Sequence, residues 1–597
     1  MMKTGYIAGI SRGHNAGVCL LHNGKIVFAI EEERLSRRKY DGSPFAAMSL
    51  IKEYTDKIDF LVISHTTSLH ETSPKIEFSG DDMYTGYARK FGLIEDHKNP
   101  YEPHPQVMDV SQLHHKIHAA CAFYRSGWED AVALIVDGAG AAFQFSVGNE
   151  PRLFWEVESI IDCEYPFNFK TLYKHYGVSS NVPGGITELE SDILGEPNSK
   201  HLALLNDGPG ITKVYEGVTE YCGFSGIEAG KTMGLFPYGN ENDIIPKFFT
   251  EDGVEPVANR NLFIPNYPNT SFVNANLYPY IKETDCCSEL SMQQNRRDMA
   301  YACQIQTQEQ VLNLIRKACK MSGKKRVVIS GGYGLNCVAN YYYLEQLKEE
   351  GIEIYVEPIS NDGGTAIGAA LLQWYQISGN MNPQPREIYL GPQYEYSDDY
   401  IERLVGVNSG TISSVDKKDV VKLLREKNIV AMFQGRSENG PRALGNRSIL
   451  FDPTFEDGKD FVNIVKHREY FRPFAGTILK EKVHEWFDLR GMEDSPHMMY
   501  AVNCQEGVGE KIPSVIHVDG TCRIQTVTKE ENNHFYELIE EFEKESSIPI
   551  LFNTSFNLGG DPLVETLEDA VKTLVNSRIE YLYLPEYGKL LKFENSN

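Results

Sequence analysis

A chain of 597 residues exceeds what one hydrophobic core organises, so two or more domains are expected. With 41% hydrophobic and 24% charged residues the composition is that of a soluble protein, and no apolar run approaches the length that crosses a bilayer. The formal charge of −25 repels phosphate backbones and so disfavours a polynucleotide partner.

The chain opens with a strand "YIAGI", a glycine-bearing turn "SRGHNAG" and two apolar runs joined by Asn23-Gly24, a hairpin signal because that turn needs positive φ. Arg12 and His14 stand too early for a signal peptide. Eleven cysteines, an odd number with no C-x-x-C pair, predict reduced thiols and a cytoplasmic location. A strand "FLVISH" precedes "LHHKIHAACAFY" (113–124), whose small and apolar residues suit a helix. In a helix the spacing of His114 and His118 puts both rings on one face.

Residues 131–157, "AVALIVDGAGAAFQFSVGNEPRLFWEV", repeat the opening order of strand, glycine turn and hairpin, which predicts an internal duplication. Residues 240–295 carry no clear period and are expected to form an irregular insertion. Strand–turn–helix units follow at 326–347 and 352–375, and this alternation predicts α/β layers. Pro383, Pro385 and Pro392 interrupt the stretch 376–398, read as part of an interdomain linker.

Asp137 ends the strand "VALIVD", and Asp362 holds the matching place in "SNDGGTAIGAA", where α/β folds put ligands. Two imidazoles and two carboxylates suit a divalent transition metal such as Fe²⁺, Mn²⁺ or Zn²⁺, although Asp-Gly pairs also form turns and helix caps. "SGGYGLN" (330–336) and "NDGGTAIGAA" (361–370) let backbone amides approach a phosphate or an adenine. "EAGKTMGLFPYG" contains G-K-T, yet it lacks the earlier glycine and preceding strand of a P-loop.

Basic residues gather in the last third. Arg436, Arg442 and Arg447 share one Gly/Asn-rich loop, and Lys466, Arg468, Arg472 and Arg523 follow. Guanidinium forks suit bidentate capture of phosphate or carboxylate. Asn553, Ser555 and Asn557 in "LFNTSFNLGGDP" add groups able to bind phosphate oxygens.

Taken together and in order, "GHNAG", "EEERLSRRKYDG", "HHKIHAACAFYRSGW", "VDGAG", "EAGKTMGLFPYG", "SGGYGLNCVAN", "NDGGTAIGAA", "RSENGPRALGNRSIL", "KHREYFRPFA", "SPHMMY", "HVDGTCRIQTV" and "NTSFNLGGDP" resemble the NodU/CmcH-type O-carbamoyltransferases. That family modifies hydroxyl groups on antibiotics and nodulation oligosaccharides. The resemblance implies two domains. Residues 1–385 would be a TsaD-like domain with the duplicated actin/hexokinase-type (ASKHA) ATPase fold, built of two ribonuclease-H-like halves. Residues 386–597 would be a YrdC-like α/β domain, with the K-x-R and S-x-N signature at Lys466–Arg468 and Ser555–Asn557.

It further implies that the second domain makes carbamoyl adenylate from carbamoyl phosphate and ATP with Mg²⁺, and that the first transfers the carbamoyl group to an acceptor hydroxyl. By the same likeness His114, His118, Asp137 and Asp362 match the metal ligands, usually of iron. His14 matches the general base, and Lys39 a residue contacting the carbamoyl group. Gly138, Gly332, Asn336 and Asn340 would line the nucleotide pocket. Asn15, Arg12, "GGYGLN", "LFPYG" and "GGDP" depart from the family pattern around the acceptor and purine walls, and so bear on the substrate more than on the chemistry.

The acceptor expected is a small molecule: a sugar, an antibiotic, an oligosaccharide or a hydroxymethylated pyrimidine. A homodimer is the expected assembly. The rival readings are an ASKHA-type sugar kinase or ATPase, which would leave the arginine-rich part idle, and a non-catalytic nucleotide-binding regulator.

Overall fold

The computed structural model describes residues 5–67, 81–96, 102–147, 149–180, 182, 184–191, 199–250, 255–282 and 289–594. The chain divides into two compact units, one of Met1–Glu32 with Tyr40–Arg386 and the other of Glu33–Lys39 with Glu387–Asn597.

In the first unit, strands β1 (Tyr6–Ser11), β2 (Gly17–His22), β3 (Lys25–Glu31), β4 (Phe60–Ser64) and β5 (Val107–Asp109) form a sheet in the order β3-β2-β1-β4-β5. Neighbours among β1–β3 are antiparallel, while β4 and β5 run parallel to β1. Asn23 and Gly24 take φ of 52° and 80° in the turn between β2 and β3, as the sequence predicts.

Helix α1 (His114–Arg125) follows, and then a second sheet from β6 (Asp130–Val136), β7 (Ala142–Val147), β8 (Glu150–Glu164), β9 (Asn168–Gly177), β10 (Gly185–Ser191) and β11 (Ser199–Asn206). After α2 (Ile211–Tyr221) and the long α3 (Gln294–Ser322), β12 (Arg326–Ser330) and β13 (Glu353–Val356) complete this sheet. Its order is β10-β11-β9-β8-β6-β12-β13, with β7 also paired to β8. The run β9-β8-β6-β12-β13 repeats the order and strand directions of the first sheet. The unit is therefore a duplicated ribonuclease-H-like fold, the architecture of ASKHA ATPases.

The duplication differs in detail from the sequence expectation. Strand β7, predicted as the counterpart of β2, is an addition. The 15-residue β8 pairs with β6 through its C-terminal half and with β7 through its N-terminal half. A short-range hairpin pattern cannot reveal that one long strand has two partners. The 240–295 stretch is largely irregular, with one two-stranded ribbon, while its residues 251–254 and 283–288 lie outside those described.

Helix α5 (Gly363–Ser378) lies on the first sheet and α1 on the second, and the two helices pack together. Gly368 allows this approach: a Cβ there would stand 2.1 Å from the carbonyl oxygen of Ile117 in α1. Among the described residues no helix is long and apolar enough to cross a membrane.

The second unit is built on a ten-stranded mixed sheet. Its centre holds β14 (Arg447–Phe451), β15 (Ala475–Leu479), β16 (Thr521–Val527) and β17 (Ile550–Ser555), in the order β14-β17-β15-β16. The buried apolar residues of these strands, such as Ile449, Ile478, Ile524 and Phe552, anchor the sheet. Arg447 begins β14 and Arg523 lies within β16, while Arg436, Arg442, Lys466, Arg468 and Arg472 stand in the segments between elements.

Candidate active site

The two helices and the end of β6 bring the four predicted metal ligands together. His114 and His118 lie one turn apart at the start of α1, Asp137 follows β6, and Asp362 immediately precedes α5. One ligand atom from each residue lies within 4.8 Å of the others. His114 Nε2 stands 3.4 Å from Asp137 Oδ2 and 3.5 Å from Asp362 Oδ1, and His118 Nε2 stands 3.4 Å from Asp362 Oδ1.

These atoms fit a divalent cation. Both His Nε2 atoms are buried without a hydrogen-bond partner, and neither carboxylate is absorbed by local structure in the way turns and caps absorb one. Asp362 heads α5 yet makes no side-chain capping bond. Asp137 uses only Oδ1 locally, accepting the Gly332 N–H at 3.1 Å. His118 Nδ1 lies 3.3 Å from Ser330 Oγ, an outer partner of the kind that orients a ligating imidazole. Burial alone would lower the pKa of His114, but Asp362 and Asp137 outweigh it and push the value up to about 10. Burial likewise opposes ionisation of Asp137, and the facing histidines hold it below the usual carboxylate range.

His14, in the turn between β1 and β2, places Nδ1 3.9 Å from Asp362 Oδ2 while half of its side chain stays exposed. Sequence reading missed Glu216 on α2. A Cβ at Gly138 would come within 2.7 Å of its Oε1, so the glycine makes room for this acid beside Asp137. Burial, opposed by the Lys213 partner at 2.7 Å, raises the Glu216 pKa. Its helix carries no motif, which is why it escaped notice.

Asn336 and Asn340, predicted to line a nucleotide pocket, are engaged within the fold. Asn336 Oδ1 caps helix α4 (Cys337–Leu347) by accepting the Ala339 N–H, and its amide exchanges hydrogen bonds with Gln304. Asn340 Nδ2 donates to the Gly334 carbonyl at 2.8 Å.

In the second unit, Lys466 is buried, and its ammonium donates to the Ser555 carbonyl and to Asn557 Oδ1 at 3.3 Å. Ser555 Oγ in turn donates to Asn557 Oδ1 at 2.6 Å. The K-x-R and S-x-N stretches, almost ninety residues apart, thus form one constellation. Burial, and after it the charges of Arg468, Arg472 and Lys39, hold the Lys466 pKa well below the usual lysine range. Around Arg468, burial and then Arg472, Arg523 and Arg442 weigh against its charge, with Glu469 opposing them. Arg523 Nε is buried without a hydrogen-bond partner. Lys466 is buried and the guanidinium groups around it are partly exposed, an arrangement whose chemistry suits an anion.

Three predicted anion ligands make hydrogen bonds to the scaffold, while Asn553 Oδ1 is buried without a hydrogen-bond partner. Arg447, fully buried, donates to the backbone carbonyls of Gln434, Gly435, Asn446 and Glu565 and lies 3.8 Å over the Phe433 ring. Arg436 donates to the carbonyls of Leu390 and Gly391. Asn553 Nδ2 donates to Ala443, Thr477 and Gln525. A glycine-rich loop has many unpaired carbonyls, and an arginine within it satisfies them as readily as it meets a ligand.

Lys39 falls in the second unit rather than in the first, where the resemblance had placed its role.

Two family descriptions match the chain: Carbamoyltransferase N-terminus over residues 102–371 and Carbamoyltransferase C-terminus over 421–589. "Nodulation protein NolNO" of Sinorhizobium fredii is 29% identical over 96% of this chain and 78% of its own length. "Nodulation protein U" of the same species is 35% identical over 40% of this chain and 41% of its own. Among solved structures, a full-length HypF in phosphate- and nucleotide-bound form overlaps 64% of this chain and 57% of its own, at 14% identity and a TM-score of 0.35.

Proposed function

This chain belongs to the carbamoyltransferase family and is a carbamoyltransferase, and from that premise we propose an ATP-dependent O-carbamoyl transfer run by two sites. At the Lys466 constellation, carbamoyl phosphate, ATP and water become carbamoyl adenylate, phosphate and pyrophosphate. Lys466, Arg468 and Arg472 hold the phosphoryl groups, and ATP arrives with Mg²⁺. At the four-ligand cluster an acceptor hydroxyl attacks the carbamoyl carbon, the bond to the adenylate oxygen breaks, and AMP leaves.

His14 receives the hydroxyl proton, since its half-exposed ring can meet an acceptor while Asp362 stands behind it. His114, His118, Asp137 and Asp362 would hold a divalent cation, with iron first among the candidates. When bound, that cation supplies Lewis-acid stabilisation of developing negative charge. Glu216 and Lys213 border the same pocket at Gly138. The acceptor is a small molecule with a free hydroxyl, a sugar or oligosaccharide being favoured by the nodulation-named relatives.

The observation that carries this reading is the pair of buried, unpartnered histidine nitrogens facing Asp137 Oδ2 and the Asp362 carboxylate. Product analysis tests the overall reaction: turnover of ATP to AMP and pyrophosphate is expected only when carbamoyl phosphate and an acceptor are both present. Formation of ADP without carbamoyl phosphate contradicts it and returns the kinase reading.

A further inference from the structure

The chain leaves the first unit after Glu32 and returns to it at Tyr40, and the intervening Glu33–Lys39 packs with the second unit. Two arginines tie this strap down. Arg34 is almost fully buried and donates from Nη2 to the Gly440 carbonyl at 2.8 Å. Arg37 donates from Nη1 to the Leu563 carbonyl at 2.6 Å and from Nη2 to that of Pro562 at 3.0 Å, and its Nε lies 3.4 Å from Asp569.

Both anchor points belong to loops of the basic constellation. Gly440 stands two residues before Arg442. Pro562 and Leu563 end the loop that begins at Ser555, turns where Asn557 Nδ2 donates to the Asp561 carbonyl, and pins Gly559 N–H on the Lys466 carbonyl at 2.7 Å. Arg37 has positive φ of 60°, a conformation unfavourable for a side-chain-bearing residue, so the strap holds a shape that its anchors must maintain. Lys39 follows Arg37 by two residues, and its charge is among those felt by Lys466.

We infer that Glu33–Lys39 is a fixed wall of the adenylate-forming pocket, in which Lys39 meets the phosphate groups of the substrate while Arg34 and Arg37 act as positioning residues that hold it there. The inference rests on the reading of the Lys466 constellation as an anion site. On this assignment the second unit's sequence from Glu387 onward lacks one cation of its own pocket, which a stretch some 350 residues earlier supplies. A lysine on a pinned strap has lost most of its rotational freedom before the ligand arrives, and so binds without the entropic penalty of a mobile side chain.

A double-mutant cycle on the full-length protein tests this, with calorimetric dissociation constants for ATP and for inorganic pyrophosphate. Lys39→Met is expected to weaken both ligands at least about tenfold, the scale of one charge-assisted hydrogen bond. Arg37→Ala should weaken them in the same direction, and Arg37→Lys less, because a lysine keeps the Asp569 pair and one carbonyl contact. Adding Arg37→Ala to Lys39→Met should produce no further loss, since Arg37 acts through Lys39. Thermal unfolding of each variant identifies those that fold, and Arg37→Lys preserves the test should Arg37→Ala unfold. Unchanged affinity in Lys39→Met, or additive losses, overturns the inference. Lys466→Met separates the two claims. If it too binds pyrophosphate like the wild type, the anion site itself is refuted. If Lys466→Met loses binding while Lys39→Met does not, only the strap assignment falls.

Discussion

A lysine ammonium buried beside two guanidinium groups and a second lysine is an unusual residue to keep, and its surroundings dictate what it does when a ligand arrives. With its pKa depressed by burial and by Arg468, Arg472 and Lys39, Lys466 gives up its proton more readily than a solvated lysine. Between the depressed value and the ordinary lysine range the unfolded chain binds the extra proton, so the ligand-free protein gains stability as pH rises through that window. An anion reverses the balance by favouring the ammonium form. Pyrophosphate binding is therefore expected to take up protons in the pH window where Lys466 of the ligand-free protein is partly deprotonated. Calorimetry in buffers of differing ionisation enthalpy measures this directly, and the uptake should vanish in Lys466→Arg, whose side chain stays charged and can still meet the anion. Binding with no buffer dependence in the wild type, or with proton release, would contradict the role given to Lys466.

The helices α1 and α5 set the geometry of the four-ligand cluster, and their closest approach is at Gly368 against the Ile117 carbonyl, one residue before His118. Helix propensity alone predicts that Gly368→Ala stabilises α5 by up to about 1 kcal/mol. The added methyl would stand 2.1 Å from a backbone oxygen, a distance that forces the helices apart. Overpacking of this kind costs about 1–3 kcal/mol. The collision should win: Gly368→Ala is expected to lower the melting temperature and to weaken binding of Fe²⁺, Mn²⁺ or Zn²⁺. A raised melting temperature with unchanged metal affinity would show that the helices are not pressed together there.

The elements nearest this contact were also the most legible in the sequence. His114 and His118 announce one face of a helix, Asp137 marks a strand end and Asp362 the turn that opens a helix, because their signals are local. What joins them is the repeated sheet, and there the sequence misled at β7, since pairing partners of β8 lie in different parts of the chain. Glu216 was invisible for a similar reason, as a lone acid on an amphipathic helix has no pattern. Arg436, Arg447, Asn336 and Asn553 make hydrogen bonds within the fold that their motifs did not foretell. Residue type tells that a side chain can hold an anion, and only the surrounding carbonyls and amides tell that it is already engaged.

At the scale of the whole molecule, an acidic protein gathers Lys466 and several arginines close together in its second unit. The net charge of −25 sets a repulsive background for phosphates, and the constellation of Lys466, Arg468, Arg472 and Arg523 is the local exception. The chain thus carries a cluster of basic side chains in its second unit, proposed above as an anion site, and a cluster suited to a divalent cation in its first. The central claim is that these sites perform successive half-reactions, and exchange of labelled pyrophosphate into ATP in the presence of carbamoyl phosphate measures the first half alone. The account predicts that the double variant His114→Ala/His118→Ala keeps this exchange and loses carbamoyl transfer to any acceptor, whereas Lys466→Met loses both. Exchange that disappears with the two histidines, or persists without Lys466, would contradict it.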